Sequence, residues 1–70
     1  MVPLRLAKPG CREYIKRVGG KAEVRKHLEN LGFVPGALIT VISETKGDVI
    51  VRIREARVAI SHEMANKILV

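Results

Sequence analysis

The sequence predicts a mainly β domain: a small antiparallel barrel of about five strands, with one inserted α-helix and a short helical turn before the last strand. Three observations lead there. From Ala37 to Ile60, apolar residues recur with period 2 between turn signals. Only Lys21 to Leu31 shows the helical period, and glycines bracket it. The chain has 70 residues, 47% of them hydrophobic and nearly all of those Val, Ile, Leu and Ala, which suits one thin core and one domain, residues 1–70.

Lys8-Pro9-Gly10 is a turn ahead of the first strand, Cys11 to Val18. Strict alternation would set Ile15 opposite Val18, so a bulge near Lys16 is expected to bring both to one side. Gly19-Gly20 ends this strand. In the helix that follows, Val24, Leu28 and Leu31 recur at i, i+4 and i+7 as one apolar stripe. Gly20 is the expected N-cap, with Glu23 near the positive end of the dipole. Gly32 suits C′, and Phe33 at C″ is placed to close over Leu28 at C3, a Schellman ending.

Past Gly36 the period becomes 2. Ala37 to Ser43 reads as a strand with Ile39 and Val41 on one face. Glu44 to Asp48 is a hairpin connection centred on Lys46-Gly47. Val49, Val51 and Ile53 then point inward while Ile50, Arg52 and Arg54 point outward. Glu55-Ala56 is a tight reversal of unusual composition, because neither residue favours positive φ. Val58 and Ile60 continue the alternation. Ser61 caps one helical turn, His62 to Asn66, and Ile68-Leu69-Val70 is a short closing strand. Such a barrel, closed or nearly so, would leave no free sheet edge.

Composition removes several function classes. A lone Cys11 cannot make an internal disulfide, which favours a reducing compartment. The opening Met1-Val2-Pro3-Leu4-Arg5-Leu6 is not a signal peptide, and no window reaches the roughly 18 apolar residues of a membrane span. No Ser, Cys or carboxylate stands in a catalytic pattern, so the chain reads as a non-enzyme. Gly19-Gly20-Lys21 precedes a helix but lacks the pattern of a phosphate loop.

Thirteen Lys and Arg against seven Asp and Glu leave a net charge of +6, which favours an acidic partner. A basic nucleic-acid-binding barrel is the alternative. It is poorly equipped, since Tyr14 and Phe33 are the only aromatics available to stack bases. A divalent-metal module is a further alternative, with Cys11, Glu23, His27 and His62 as ligands for Fe2+ or Zn2+. Their spacing is not that of a closed zinc site, so they offer at most a loosely held ion, and no other cofactor is expected. The remaining feature is Leu31-Gly32-Phe33-Val34-Pro35-Gly36, four bulky groups held rigid by glycine turns. It is the expected partner-binding segment, with Arg52, Arg54 and Arg57 as steering charges. A homo-oligomer through an open strand edge is also compatible with the sequence.

Leu4-x-Leu6-x-x-Pro9-Gly10, Ile15-x-x-Val18-x-Gly20, Leu28-x-x-Leu31-Gly32-Phe33-Val34-Pro35-Gly36, Gly47-Asp48 and Val58-Ala59-Ile60 before Glu63 and Ala65 together resemble the FeoA family. The resemblance implies an SH3-like barrel with an inserted helix. It also implies a small cytoplasmic protein that contacts the nucleotide-hydrolysing cytoplasmic domain of a FeoB-type ferrous iron transporter and modulates its assembly or activity. Two departures affect loops. Prolines common around the Gly-Asp hairpin are missing from Thr45-Lys46-Gly47-Asp48-Val49, and Glu55-Ala56 stands where many relatives have glycine.

Overall fold

The change of hydrophobic period along the chain is matched by the elements of the computed structural model, which describes residues 1–70. In chain order these are a 3-10 turn (Leu4–Leu6), β1 (Arg12–Tyr14), β2 (Arg17–Val18), α1 (Ala22–Asn30), β3 (Leu38–Glu44), β4 (Asp48–Ile53), β5 (Ala56–Ser61), α2 (His62–Ala65) and β6 (Ile68–Leu69). The strands form an antiparallel four-stranded sheet in the order β1-β3-β4-β5 and a two-stranded sheet of β2 and β6.

The expected strand from Cys11 to Val18 is therefore two strands, and the total is six. The break falls at the anticipated bulge. Ile15 N–H donates to the Ala37 carbonyl at 2.8 Å, on the large-sheet side. Lys16 N–H, one residue later, donates to Leu69 of β6 at 2.8 Å. One chain thus changes sheets across a single peptide unit, and Ile15 is buried at that corner while Tyr14 stays 61% exposed.

Neither sheet closes into a barrel. After β5 the chain enters α2, so β5 has no partner beyond β4 and keeps a free edge. The ends are held instead by Val2 and Val70, which exchange N–H···O bonds of 3.0 and 2.8 Å. A bulge in β3 between Val41 and Ser43 leaves Ile42 unpaired and bends that strand over the core.

Thirteen apolar residues make the core, among them Ile39, Val41, Val49, Val51, Ile53 and Ile60, the inward faces that the alternation predicts. Of the helix stripe only Leu28 is fully buried. Val24 is half-buried against the core, and Leu31, the C-cap, is 37% exposed. The N-cap is Lys21 rather than Gly20, with no side-chain bond. Gly20 lies one place earlier with φ +97°, where an added Cβ would meet Lys67 Cδ at 2.9 Å. The helix end has the expected Schellman form. Gly32 N–H donates to Glu29 and Phe33 N–H to Leu28, both at 2.9 Å, with Gly32 at φ +105°.

The second hairpin turn is shifted one residue from its expected place. Ile53 pairs with Ala56, so the reversal is Arg54-Glu55, and Arg54 takes the positive φ of 57°. Positive φ at the first of two central residues is the type II′ signature, which glycine would fill without strain. Ser61 caps α2 as expected, its Oγ accepting from Met64 N–H at 3.1 Å.

Candidate interaction surface

The loop after the Schellman turn leads into β3, and loop and sheet together form a broad, open groove. One wall is the loop, Val34, Pro35, Gly36 and Ala37. The other wall is the sheet side, with Leu38 and Thr40 of β3, Arg12 of β1, and Arg52 and Arg54. Sheet register explains the grouping. Arg12 pairs with Thr40 and Thr40 with Arg52, so one row crosses β1, β3 and β4 on the face away from the core. Arg54, in the reversal just after β4, reaches the same groove.

The loop is shaped by its own backbone. Ala37 N–H donates to the Val34 carbonyl at 3.0 Å, and Gly36 N–H donates to Ile15 at 2.7 Å. Pro35 presets φ inside that turn, and Gly36 supplies φ +90°. The apolar wall is thus tied to the corner where β1 becomes β2, and it is built before any ligand arrives.

The charges on the other wall are uncompensated. No acidic residue lines the groove. The one approach of a basic side chain to a carboxylate within 4 Å lies elsewhere, between the His62 ring Nε2 and Glu44 Oε1 at 3.8 Å. The side-chain hydrogen bonds involve Arg5, Thr45 and Ser61, and none uses Arg12, Arg52, Arg54 or Arg57. Arg52 and Arg57 stand directly opposite each other across β4 and β5, a like-charge arrangement that disfavours the free state. An anionic group seated among them would be drawn in by Coulomb attraction and held by guanidinium donors.

Of the segment expected to bind a partner, Val34, Pro35 and Gly36 line the groove, with Pro35 and Gly36 exposed and Val34 half-buried. Leu31 is exposed outside it. Gly32 and Phe33 are buried, so they cannot touch a partner and act from inside by holding the loop. The reason is the Schellman turn itself, which folds the C″ side chain back over the core. Arg52 and Arg54 are on the groove wall; Arg57 is exposed one strand further out. Arg12, Ala37, Leu38 and Thr40 also line the groove and lie outside the expected set. Only the pairing of β1 with β3, distant in sequence, brings Arg12 there.

The metal candidates are dispersed. Cys11 is half-buried just before β1, and Glu23 and His27 are exposed along α1. His62 opens α2 facing Glu44, with its Nε2 buried and without a hydrogen-bond partner. No group of three or more His, Cys, Asp and Glu side chains is placed to hold an ion. Of the two aromatics only Tyr14 is exposed, which leaves no stacking platform for bases. No helix is long and apolar enough to cross a membrane.

Comparisons with known proteins agree with this architecture. A crystal structure of an iron uptake regulatory protein (FeoA) superposes with a TM-score of 0.89 at 29% identity, over 96% of this chain and 91% of that one. Iron(II) transport protein A of Clostridium thermocellum gives 0.90 at 24% identity, covering 97% of this chain and 43% of that one. The zinc-complexed FeoA of Stenotrophomonas maltophilia, described as a prokaryotic SH3 domain protein, gives 0.82 at 17% identity, covering 94% and 85%. These last two likenesses speak for the fold alone. No curated protein matches the chain significantly. The model of the FeoA domain matches residues 2–70, and the chain therefore belongs to the FeoA domain family.

Proposed function

We propose that this chain is an accessory module of ferrous iron uptake, working in the cytoplasm by docking to the nucleotide-hydrolysing domain of a FeoB-type transporter. Family membership supports the process, and the name of a structural neighbour at 29% identity, an iron uptake regulatory protein, points the same way. The observation that carries the docking mode is the groove. It sets a preformed Val34-Pro35 wall against Arg12, Arg52 and Arg54, with no acidic residue between them. An apolar group flanked by carboxylates is the complementary partner surface. The arginines would speed encounter more than they hold the complex, while the apolar wall sets its lifetime.

The test is titration of the transporter's soluble domain into the full chain, in each nucleotide state, at low and high salt. Val34→Asp should raise Kd by about tenfold or more, because it removes the apolar contact and its carboxylate competes with the partner's for the groove arginines. Arg52→Glu should chiefly lower the association rate and flatten its salt dependence. Absence of binding by the unaltered chain in every nucleotide state would overturn the proposal. Tight binding to an oligonucleotide with a steep salt slope would favour the nucleic-acid reading instead.

A further inference from the structure

We infer that the free edge of β5 is a second interaction surface, which takes an extended acidic–apolar peptide segment of a partner protein as a fifth strand of the large sheet. It lies one strand beyond the groove and does not depend on which partner the groove serves.

Register shows which backbone groups are available. His62 N–H donates to the Gly47 carbonyl at 3.2 Å, just past the Asp48–Ser61 pair. Hydrogen-bonded pairs alternate in an antiparallel ladder, so Val49–Ile60, Val51–Val58 and Ile53–Ala56 are the bonded pairs of β4 and β5. Arg57 and Ala59, with both backbone groups, and the Ser61 N–H consequently point away from β4. None of them takes part in a backbone bond outside the ladder, and no strand lies beyond β5. The strand has no bulge and no proline along its six residues, so it lacks two of the devices that usually blunt an edge.

Side chains along the edge define the occupant. Arg57 is exposed and stands opposite Arg52, with no acidic residue to offset the pair. A carboxylate opposite Arg57 on an added strand would neutralise that repulsion. On the other face Val58 is half-buried against the core, and an apolar residue beside it would complete its burial. Carboxylates on one face and apolar groups on the other give a segment that alternates acidic and apolar residues, the pattern of an added strand. A second copy of this chain fits less well, because each carries a net charge of +6.

The probe is a blocked peptide of alternating valine and glutamate, titrated into the full chain with amide hydrogen exchange as the readout. Binding should protect the amides of Arg57, Ala59 and Ser61. A proline at the peptide's centre should weaken binding about tenfold by deleting a ladder donor. Replacing its glutamates with lysines should abolish binding, and Arg57→Glu should restore it. Ala59→Pro removes an outward N–H while sparing the bonds to β4, so it should lose the peptide with little change in thermal midpoint. Val34→Asp should bind the peptide normally, which separates this edge from the groove. Equal binding of the proline-centred peptide, new protection at the Arg12 amide with none at Arg57, Ala59 and Ser61, or self-association through β5 without peptide would each overturn the inference.

Discussion

The side chain of Arg54 lies over Gly32, its Nε 3.7 Å from where a Cβ on that glycine would sit. Both residues have positive φ, 57° and 105°, and each closes a turn, one at the β4–β5 reversal and one at the end of α1. A cation beside the last carbonyls of a helix is favourably placed in its dipole. The same side chain lines the groove, so a strained hairpin residue links the helix end to the candidate surface.

Arg54→Gly should separate stability from binding. Glycine relieves the left-handed strain, worth up to ~1 kcal/mol, while removing a groove cation. Urea unfolding is expected to show a midpoint at or above that of the unaltered chain, and partner titration a weaker complex. A clearly lower midpoint would mean that packing over Gly32 outweighs the strain.

Gly32→Ala should destabilise through conformation rather than collision. The contacts its Cβ would make, Arg54 Nε and Ile53 Cδ1 at 3.7 Å, are ordinary. Its φ of +105° is not, and the cost should be about 1–2 kcal/mol. Thermal denaturation measures it.

Phe33 and Pro35 are two residues apart and should behave oppositely. Phe33 is 0% exposed, and Phe33→Ala should cost about 3–5 kcal/mol, enough to unfold much of a domain this small. Pro35 is exposed on the groove, so Pro35→Ala should keep the fold and loosen only the loop. Circular dichroism of the two variants distinguishes them; a folded Phe33→Ala would contradict the assigned core.

Ser61→Ala should lose the cap on α2, whose Oγ accepts from Met64 N–H. The expected loss is about 1 kcal/mol, and Ser61→Asp should recover most of it. Chemical denaturation of the pair is the check.

Local chemistry was legible in the residues themselves. Gly32 and Phe33 specify the Schellman turn because only glycine enters positive φ freely and the next apolar residue is carried back over Leu28. The alternation of Val49, Val51 and Ile53 sets the core face of β4 for a similar reason, since side chains in a strand change sides at every residue. Ser61 announces its helix through a bond three residues away.

What required the folded chain is mostly register. The sheet change at Ile15 and Lys16 depends on Ala37 and Leu69, and the Gly19-Gly20 turn before Lys21 sits against Lys67, all far along the chain. The positive φ on Arg54 follows from the pairing of Ile53 with Ala56 across the hairpin. The barrel stays open because the chain enters α2 after β5; Ser61 marks that turn locally, but that no further strand pairs with β5 is settled only in the folded chain. Arg12 joins Arg52 only because β3 lies between their strands. Side-chain periodicity is written in neighbours and can be read one residue at a time. Register between distant strands is decided by how the whole core packs, and the groove is a product of register.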